Sequence, residues 1–370
     1  MPLKRRRLTL LDDLPEEIID KILIRLPSKD IGRCRAVSTS WRGATSTPEF
    51  MLKHHRLQPS LPIVNGWGRP NNHDNRFYIC NTVIRKHALL PLPQFWEGIR
   101  NTVIGFYQHH PTGEYRVLWV STSHHLSQSS LYVLTVGSDK PRYITVRMPT
   151  VLPPSVEQKL LGWLCCYPAY CPPPAYYRGN LHWCRYGASN ITGGGGDIIV
   201  FDTEAEVFRW MHSPTQLWPN KLFNMNGMLA FWAASDRGYY GSTIIDVWVM
   251  QDYKAEIWSF KYRIDVSMVE ASRQLYLSSS KKKKKTAVDS VVRGFDDMAI
   301  VNERELLIMF NKKYVLRCDI DGKFLGIVKI GKSQYCMGLT QHRLQESIIP
   351  IPGHEMQGED DEPPFRTGSV

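Results

Sequence analysis

The chain has 370 residues, 43% of them hydrophobic and 11% aromatic, with 24 Pro, 26 Gly and 11 Trp, which leaves room for a small module beside one large or two medium globular domains. Its formal charge is +11, but Lys4 with Arg5, Arg6 and Arg7 and the run Lys281 to Lys285 supply nine charges, and subtracting them leaves +2 for the rest, so a basic nucleic-acid-binding body is disfavoured. The eight cysteines form no C-x-x-C pair and no apolar run approaches membrane-spanning length, which argues against a disulfide scaffold, a signal peptide and a membrane protein.

A basic tail, residues 1–11, comes first; it reads as a solvated tail or as a nuclear import signal. A helical module over residues 12–55 follows. Leu14, Ile18, Ile19, Ile22, Leu23 and Leu26 recur at steps of three and four, on one face of a helix. Asp13 and Glu16 have capping-box spacing, Pro15 suits a first turn, and Pro27 stops the pattern. Ser28 is placed to cap a second helix carrying Ile31 and Cys34, and Ser38 a third carrying Trp41; Pro48 and Phe50 open another short turn or helix. So wide an apolar stripe exceeds what a cluster of about forty residues can hide. The spare face either docks into a partner's groove or packs on the chain's own second domain.

Residues 56–75, rich in Pro, Gly, Asn and His without periodicity, read as a linker. Short strand-like segments then fill 76–347: "RFYIC", "TVIGFY", "EYRVLWVS", "SLYVLTV", "RYITVRM", "GNLHWCRY", "DIIVFDT", "EVFRWM", "GMLAFWA", "IIDVWVM", "AEIWSFKYRI", "ELLIMF", "KYVLRCDI" and "FLGIVKI". No helix of useful length is expected among them, which disfavours parallel βαβ architecture. Strand–turn–strand units recur at a period of about fifty residues, with Gly179 and Gly227 in matching places, the range of four-stranded propeller blades. The expected fold is mainly β: a small all-α module of three helices, then an irregular β-propeller-like domain of five or six blades, with a pair of β-sandwiches as the alternative. A Lys-rich loop at 279–290 interrupts the domain, and an acidic, Pro-containing tail, 348–370, is expected to be disordered.

Side chains suited to chemistry are scattered. Cys165, Cys166, Cys171, His182 and Cys184 come nearest to a metal cluster but lack the paired spacing of structural zinc sites. The doublets His54-His55, His109-His110 and His124-His125 read as solvated loop histidines, and Gly193 to Gly196 as a hairpin connection, since no Lys-Ser or Lys-Thr follows. There is no Gly-x-Ser-x-Gly or His-Glu-x-x-His. No catalytic residue, cofactor or metal is expected, and the sequon Asn190-Ile191-Thr192 is expected to go unused in a reducing compartment.

The opening module resembles the F-box, on Leu14-Pro15-Glu16-Glu17-Ile18-Ile19, Ile22-Leu23, Arg25-Leu26-Pro27, Val37-Ser38, Ser40-Trp41-Arg42, Pro48 and Phe50. Ala36 and Thr39 stand where plant members commonly carry Cys and Lys. The β region is similar to the F-box-associated domain of plants, on Asn81-Thr82 with Leu90-Pro91-Leu92-Pro93, Gly105-Phe106 with Glu114-Tyr115-Arg116-Val117, Gly179-Asn180-Leu181-His182-Trp183, Ile199-Val200-Phe201-Asp202, and Val247-Trp248-Val249-Met250 with Trp258. The resemblance implies a substrate-receptor subunit of a Skp–cullin–F-box ubiquitin ligase, non-catalytic and cytoplasmic or nuclear. It implies docking on a Skp-type adaptor, and through it a cullin, with Leu14, Pro15, Ile18, Ile22, Leu23, Leu26, Pro27 and Trp41 in contact or support. The β domain would capture a protein substrate. Trp67, Trp96, Trp218, Tyr239 and Tyr240 are candidate anchors for it, because aromatics are favoured at interface centres. No membrane association and no obligate homo-oligomer is expected. The alternatives are a β-propeller enzyme or carbohydrate-binding protein with a helical prefix, or nucleic-acid binding through the two basic runs.

Overall fold

A computed structural model describes residues 14–58, 60–67, 77–81, 86–93, 98–123, 128–149, 153–165, 173–184, 198–217, 220–225, 227–234, 244–269, 295–301, 304–310, 314–328, 336–345 and 347–349. The chain divides into two units, one of residues 1–60, 76–90 and 344–370, the other of 61–75 and 91–343.

The first unit opens with helix α1 (Glu16–Leu23). Pro15 is its N-cap residue rather than a first-turn residue and makes no side-chain cap hydrogen bond, while Asp13, the expected capping-box residue, lies outside the described residues. Glu16 and Glu17 at its start and Lys21 in its last turn complement the helix dipole. Pro27 ends the pattern and is itself the N-cap of α2 (Ser28–Val37), so Ser28 lies inside the helix, buried, and does not cap it as its residue type suggested. Ser38 does cap α3 (Thr39–Thr45), its Oγ accepting from the Trp41 N–H at 3.3 Å. Thr47 caps α4 (Pro48–Leu57) in the same way through Phe50. This fourth helix forms where Pro48 and Phe50 were read as opening another short turn or helix. Leu23, Ile24, Ile31 and Phe50 are buried together, with Ile19, Leu26, Cys34, Trp41 and Met51 packed around them. Ile348, from the far end of the chain, lies in the same core.

Strand β1 (Ser60–Trp67) falls where composition suggested only a linker, and it pairs with the last strand, Cys336–Gln345. A short hairpin of the first unit, β2 (Tyr78–Asn81) and β3 (Lys86–Leu89), precedes the rest. Four meandering antiparallel sheets then follow one another. They are β4 (Ile99–Gln108), β5 (Tyr115–Ser123), β6 (Gln128–Thr135) and β7 (Arg142–Ile144); β8 (Ala175–Tyr177), β9 (Asn180–Cys184), β10 (Ile198–Asp202) and β11 (Val207–Met211); β12 (Asn220–Met225), β13 (Met228–Ala234), β14 (Ile244–Asp252) and β15 (Ile257–Asp265); and β16 (Phe295–Ile300), β17 (Glu305–Phe310), β18 (Tyr314–Asp319) and β19 (Phe324–Ile327). The final strand is β20 (Cys336–Gln345). Gly179 and Gly227, at φ 72° and 80°, turn β8 into β9 and β12 into β13, the left-handed backbone that glycine takes without strain.

Successive sheets share apolar cores. Sheets one and two meet through residues such as Leu118, Val133, Leu181 and Phe201, sheets two and three through Val200, Met211 and Phe231, and sheets three and four through Val247, Ile264, Ile308 and Leu316. Face-to-face packing of consecutive four-stranded meanders is propeller-like. The two-sandwich alternative does not describe it, since sheets two and three each bury residues against both their predecessor and their successor.

A helix does interrupt the strands, contrary to the sequence reading: α5 (Pro154–Cys165). Its buried Leu160, Leu161, Trp163 and Leu164 join the core of the first two sheets. The helix opens on Pro154, straight after Pro153, and Pro at the first helical position is favourable. Gln158 behaves as a strand would towards β6: its side chain accepts from the Ser129 N–H at 2.7 Å and donates to the Ser129 carbonyl at 3.1 Å.

Candidate partner-docking surface

Helix α1 has two apolar faces with opposite fates. Leu23 is 2% exposed and Ile19 half-buried, turned into the helical core, whereas Leu14, Ile18 and Ile22 are 37%, 41% and 39% exposed. Spacing of four residues stacks these three along one edge of the helix and its entry. Such a row of exposed large aliphatic side chains is a candidate docking surface.

Of the eight positions expected to serve docking, Pro15 and Pro27 are also exposed, Leu26 and Trp41 are half-buried, and Leu23 lies inside. Trp41 packs on the core. It is fixed there by the Ser38 cap and by Thr45, whose hydroxyl donates to the Trp41 carbonyl at 2.7 Å. Arg35 of α2 donates to both the hydroxyl and the carbonyl of Thr45, and Arg42 donates to the Arg35 carbonyl, so α2 and α3 are tied at their ends.

His54 corrects a sequence expectation. It is buried in α4, stacked on Phe50, and its Nε2 donates to the Leu26 carbonyl at 2.8 Å, joining the C-terminal end of the α1 segment to α4. The signal was present: Phe50, His54 and Gln58 are spaced by four and share the buried face. His109 is likewise 8% exposed, its Nδ1 hydrogen-bonded to the Thr112 hydroxyl. His124 and His125 lie outside the described residues.

In the β unit, the candidate anchors Trp96, Trp218, Tyr239 and Tyr240 lie outside the described residues, and Trp67 is described only as part of β1. The Lys281 to Lys285 run, Gly193 to Gly196, Cys166 and Cys171 are outside them as well. Among the described residues no three or more His, Cys, Asp or Glu side chains are grouped to hold a metal. No helix among them is long and apolar enough to cross a membrane. His182 is fully buried, with Nδ1 3.1 Å from the Ala175 carbonyl and Nε2 2.8 Å from the Tyr253 hydroxyl. A carbonyl can only accept, so Nδ1 carries the proton and Nε2 accepts from Tyr253. Burial, chiefly, with Arg209 adding to it, pushes the ring's pKa down to about 4. This is a neutral structural histidine.

One cluster escaped the sequence reading. Arg178, at φ 48° in the β8–β9 turn, spreads over Tyr177 at 5.4 Å and Tyr253 at 6.0 Å from ring centres, and Arg209 faces Tyr253 from 5.3 Å. Tyr177 and Arg178 meet Arg209 and Tyr253, distant in sequence, because adjacent sheets bring them together.

Comparison with known proteins gives two domain matches: an F-box domain over residues 11–53 and an F-box associated beta propeller domain over residues 36–284. The chain is similar to F-box protein At1g31080 of Arabidopsis thaliana, 24% identical over 254 residues, covering 66% of this chain and 59% of that protein. It is also similar to F-box only protein 12 of the same plant, 22% identical over 312 residues, 77% of this chain and 70% of the relative. F-box protein At5g18160, also of Arabidopsis thaliana, matches at 45% identity over 53 residues, 14% of each chain. The first of these matches thus spans about three fifths of its relative.

Proposed function

The chain belongs to the F-box associated beta propeller family, and from that premise we propose that it is a substrate-recognition subunit of a Skp–cullin–F-box ubiquitin ligase. The observation that carries the reading is the exposed row Leu14, Ile18 and Ile22 on a helix whose opposite side is packed. This row lies within the F-box match and ahead of a repeating β domain.

The physical division of labour is simple. The helical module docks its exposed row in an apolar groove of a Skp-type adaptor, which connects to a cullin. The β domain holds a protein substrate through its sheet-connecting loops. The chain itself performs no chemistry: it raises the local concentration of substrate lysines near the ubiquitin carrier, which is a gain by proximity. Such a subunit works in the cytoplasm, the nucleus or both. Co-purification of the full chain with a purified Skp-type adaptor tests the reading; a folded chain that retains no adaptor overturns it.

A further inference from the structure

Helix α1 is eight residues long and its N-cap residue, Pro15, makes no side-chain cap hydrogen bond; it is too short to hold its shape alone. What holds it is the core beneath it, and one member of that core is not part of the helical sequence. Ile348 is 2% exposed and is buried with Leu23, Ile24, Ile31 and Phe50. The three-residue segment that delivers it is pinned at its end. The Ile349 carbonyl accepts from the Asn81 Nδ2 at 2.9 Å, and the Ile349 N–H donates to the Ser347 hydroxyl at 3.1 Å. Asn81 ends strand β2 of the hairpin that belongs to the same unit. Helix α1 therefore carries its exposed row on one side and rests on the other against a core that the chain's last described segment completes.

We propose that Ile348 is a positioning residue for adaptor docking: it fixes α1 from inside, so that Leu14, Ile18 and Ile22 are presented only when the C-terminal segment 347–349 is in place. This rests on the functional reading above. Because 347–349 follow β20 in the chain, the docking row becomes competent only after the entire β domain has been synthesised. A chain that ended before Ile348 would contain every docking residue and still dock poorly. Such an arrangement ties access to the ligase to possession of the complete substrate-binding domain.

The test uses the full chain with Ile348→Asp and, as the conservative partner, Ile348→Val. Two quantities are read: affinity for a purified Skp-type adaptor, and amide hydrogen exchange in α1 and in β13. Ile348→Asp is expected to weaken adaptor binding by about tenfold or more, equivalent to about 1.4 kcal/mol, and to speed exchange in α1 while leaving β13 protected. Ile348→Val is expected to bind within about twofold of the unsubstituted chain, since it keeps an aliphatic side chain in the core. Unchanged adaptor affinity of Ile348→Asp, beside a parent chain that binds, overturns the role of Ile348 alone. Equal loss of protection in α1 and β13 also overturns it, because the residue would then support general stability. If the parent chain does not bind the adaptor, the functional reading falls, and the docking role with it.

Discussion

Glu256 repeats in the third sheet what Glu206 does in the second. Both end a D-x-x-A-E turn, both have positive φ, 53° for Glu206 and 56° for Glu256, and both reach back to arginine on the preceding sheet. Glu206 Oε1 accepts from Arg116 at 3.2 Å and Arg142 at 2.5 Å; Glu256 accepts from Arg209 at 2.8 Å and from the His212 N–H at 2.9 Å. Asp202 and Asp252 shape the two turns alike, each Oδ1 accepting two backbone N–H groups. In the β18–β19 turn a glycine, Gly322 at φ 84°, takes the left-handed position.

This pairing separates two costs. Glu206→Ala removes a partly buried ion pair and leaves a Cβ in the left-handed region, whereas Glu206→Gly removes the same pair and relieves the backbone. Urea denaturation should show Glu206→Ala less stable than the parent by about 2–3 kcal/mol, and Glu206→Gly recovering about 1 kcal/mol of that. Equal stability of the two variants would show that the turn is not strained.

Lys221 on β12 and Asp297 on β16 form an ion pair at 2.5 Å, both residues under 9% exposed, and Lys221 also donates to the Leu339 carbonyl of β20 at 3.3 Å. Burial pushes the Asp297 carboxyl up, while the Lys221 ammonium and the Met298 N–H pull it back down. Lys221→Met alone strands a buried carboxylate and should cost about 3–5 kcal/mol in chemical denaturation. Lys221→Met with Asp297→Leu should be closer to the parent than either single variant. Additive losses would mean that the two groups do not interact.

The same pair explains which strands the sequence concealed. The second, third and fourth strands of the last three sheets stand out by their apolar runs, but the first strands, β8, β12 and β16, do not. β12 contains Lys221 and Asn224 and β16 contains Asp296-Asp297, polar residues that read as turns; Lys221 and Asp297 find each other across the two sheets. β8 has three residues directly after a proline run, and β1 is broken to the eye by Pro62 and Gly66. The exposed row Leu14, Ile18 and Ile22 was legible because its signal is local: helical spacing between two prolines. Ile348 was not, since no pattern within residues 347–349 tells that they complete a core some three hundred residues earlier in the chain.

His182 supplies a pH dependence of known sign. Its folded pKa, about 4, lies below the usual 6.5, so the unfolded chain binds the proton more readily between those values. Its contribution is fully present above about pH 6.5 and is lost as pH falls towards 4, up to about 3 kcal/mol. Denaturation midpoints measured from pH 7 to 4 should fall, and His182→Gln should flatten that fall. An identical slope in the variant would place the acid sensitivity elsewhere.

Exposed and buried positions of α1 should respond oppositely to charge. Ile18→Asp changes a side chain already in water and should alter stability by less than about 0.5 kcal/mol. Leu23→Asp places a carboxylate in the helical core, and the far-ultraviolet helical signal of the module should be lost. Loss of helix in Ile18→Asp would mean that Ile18 is a core residue.

The most direct measurement is a binding isotherm of the full chain with a purified Skp-type adaptor, run beside Ile18→Asp combined with Ile22→Asp. The parent chain is expected to bind, and the doubly substituted chain, with its helical signal intact, to bind at least about a hundredfold more weakly, equivalent to about 2.7 kcal/mol. Equal affinity of the two chains, or no binding by the parent, would contradict an adaptor-docking role for the exposed row on α1.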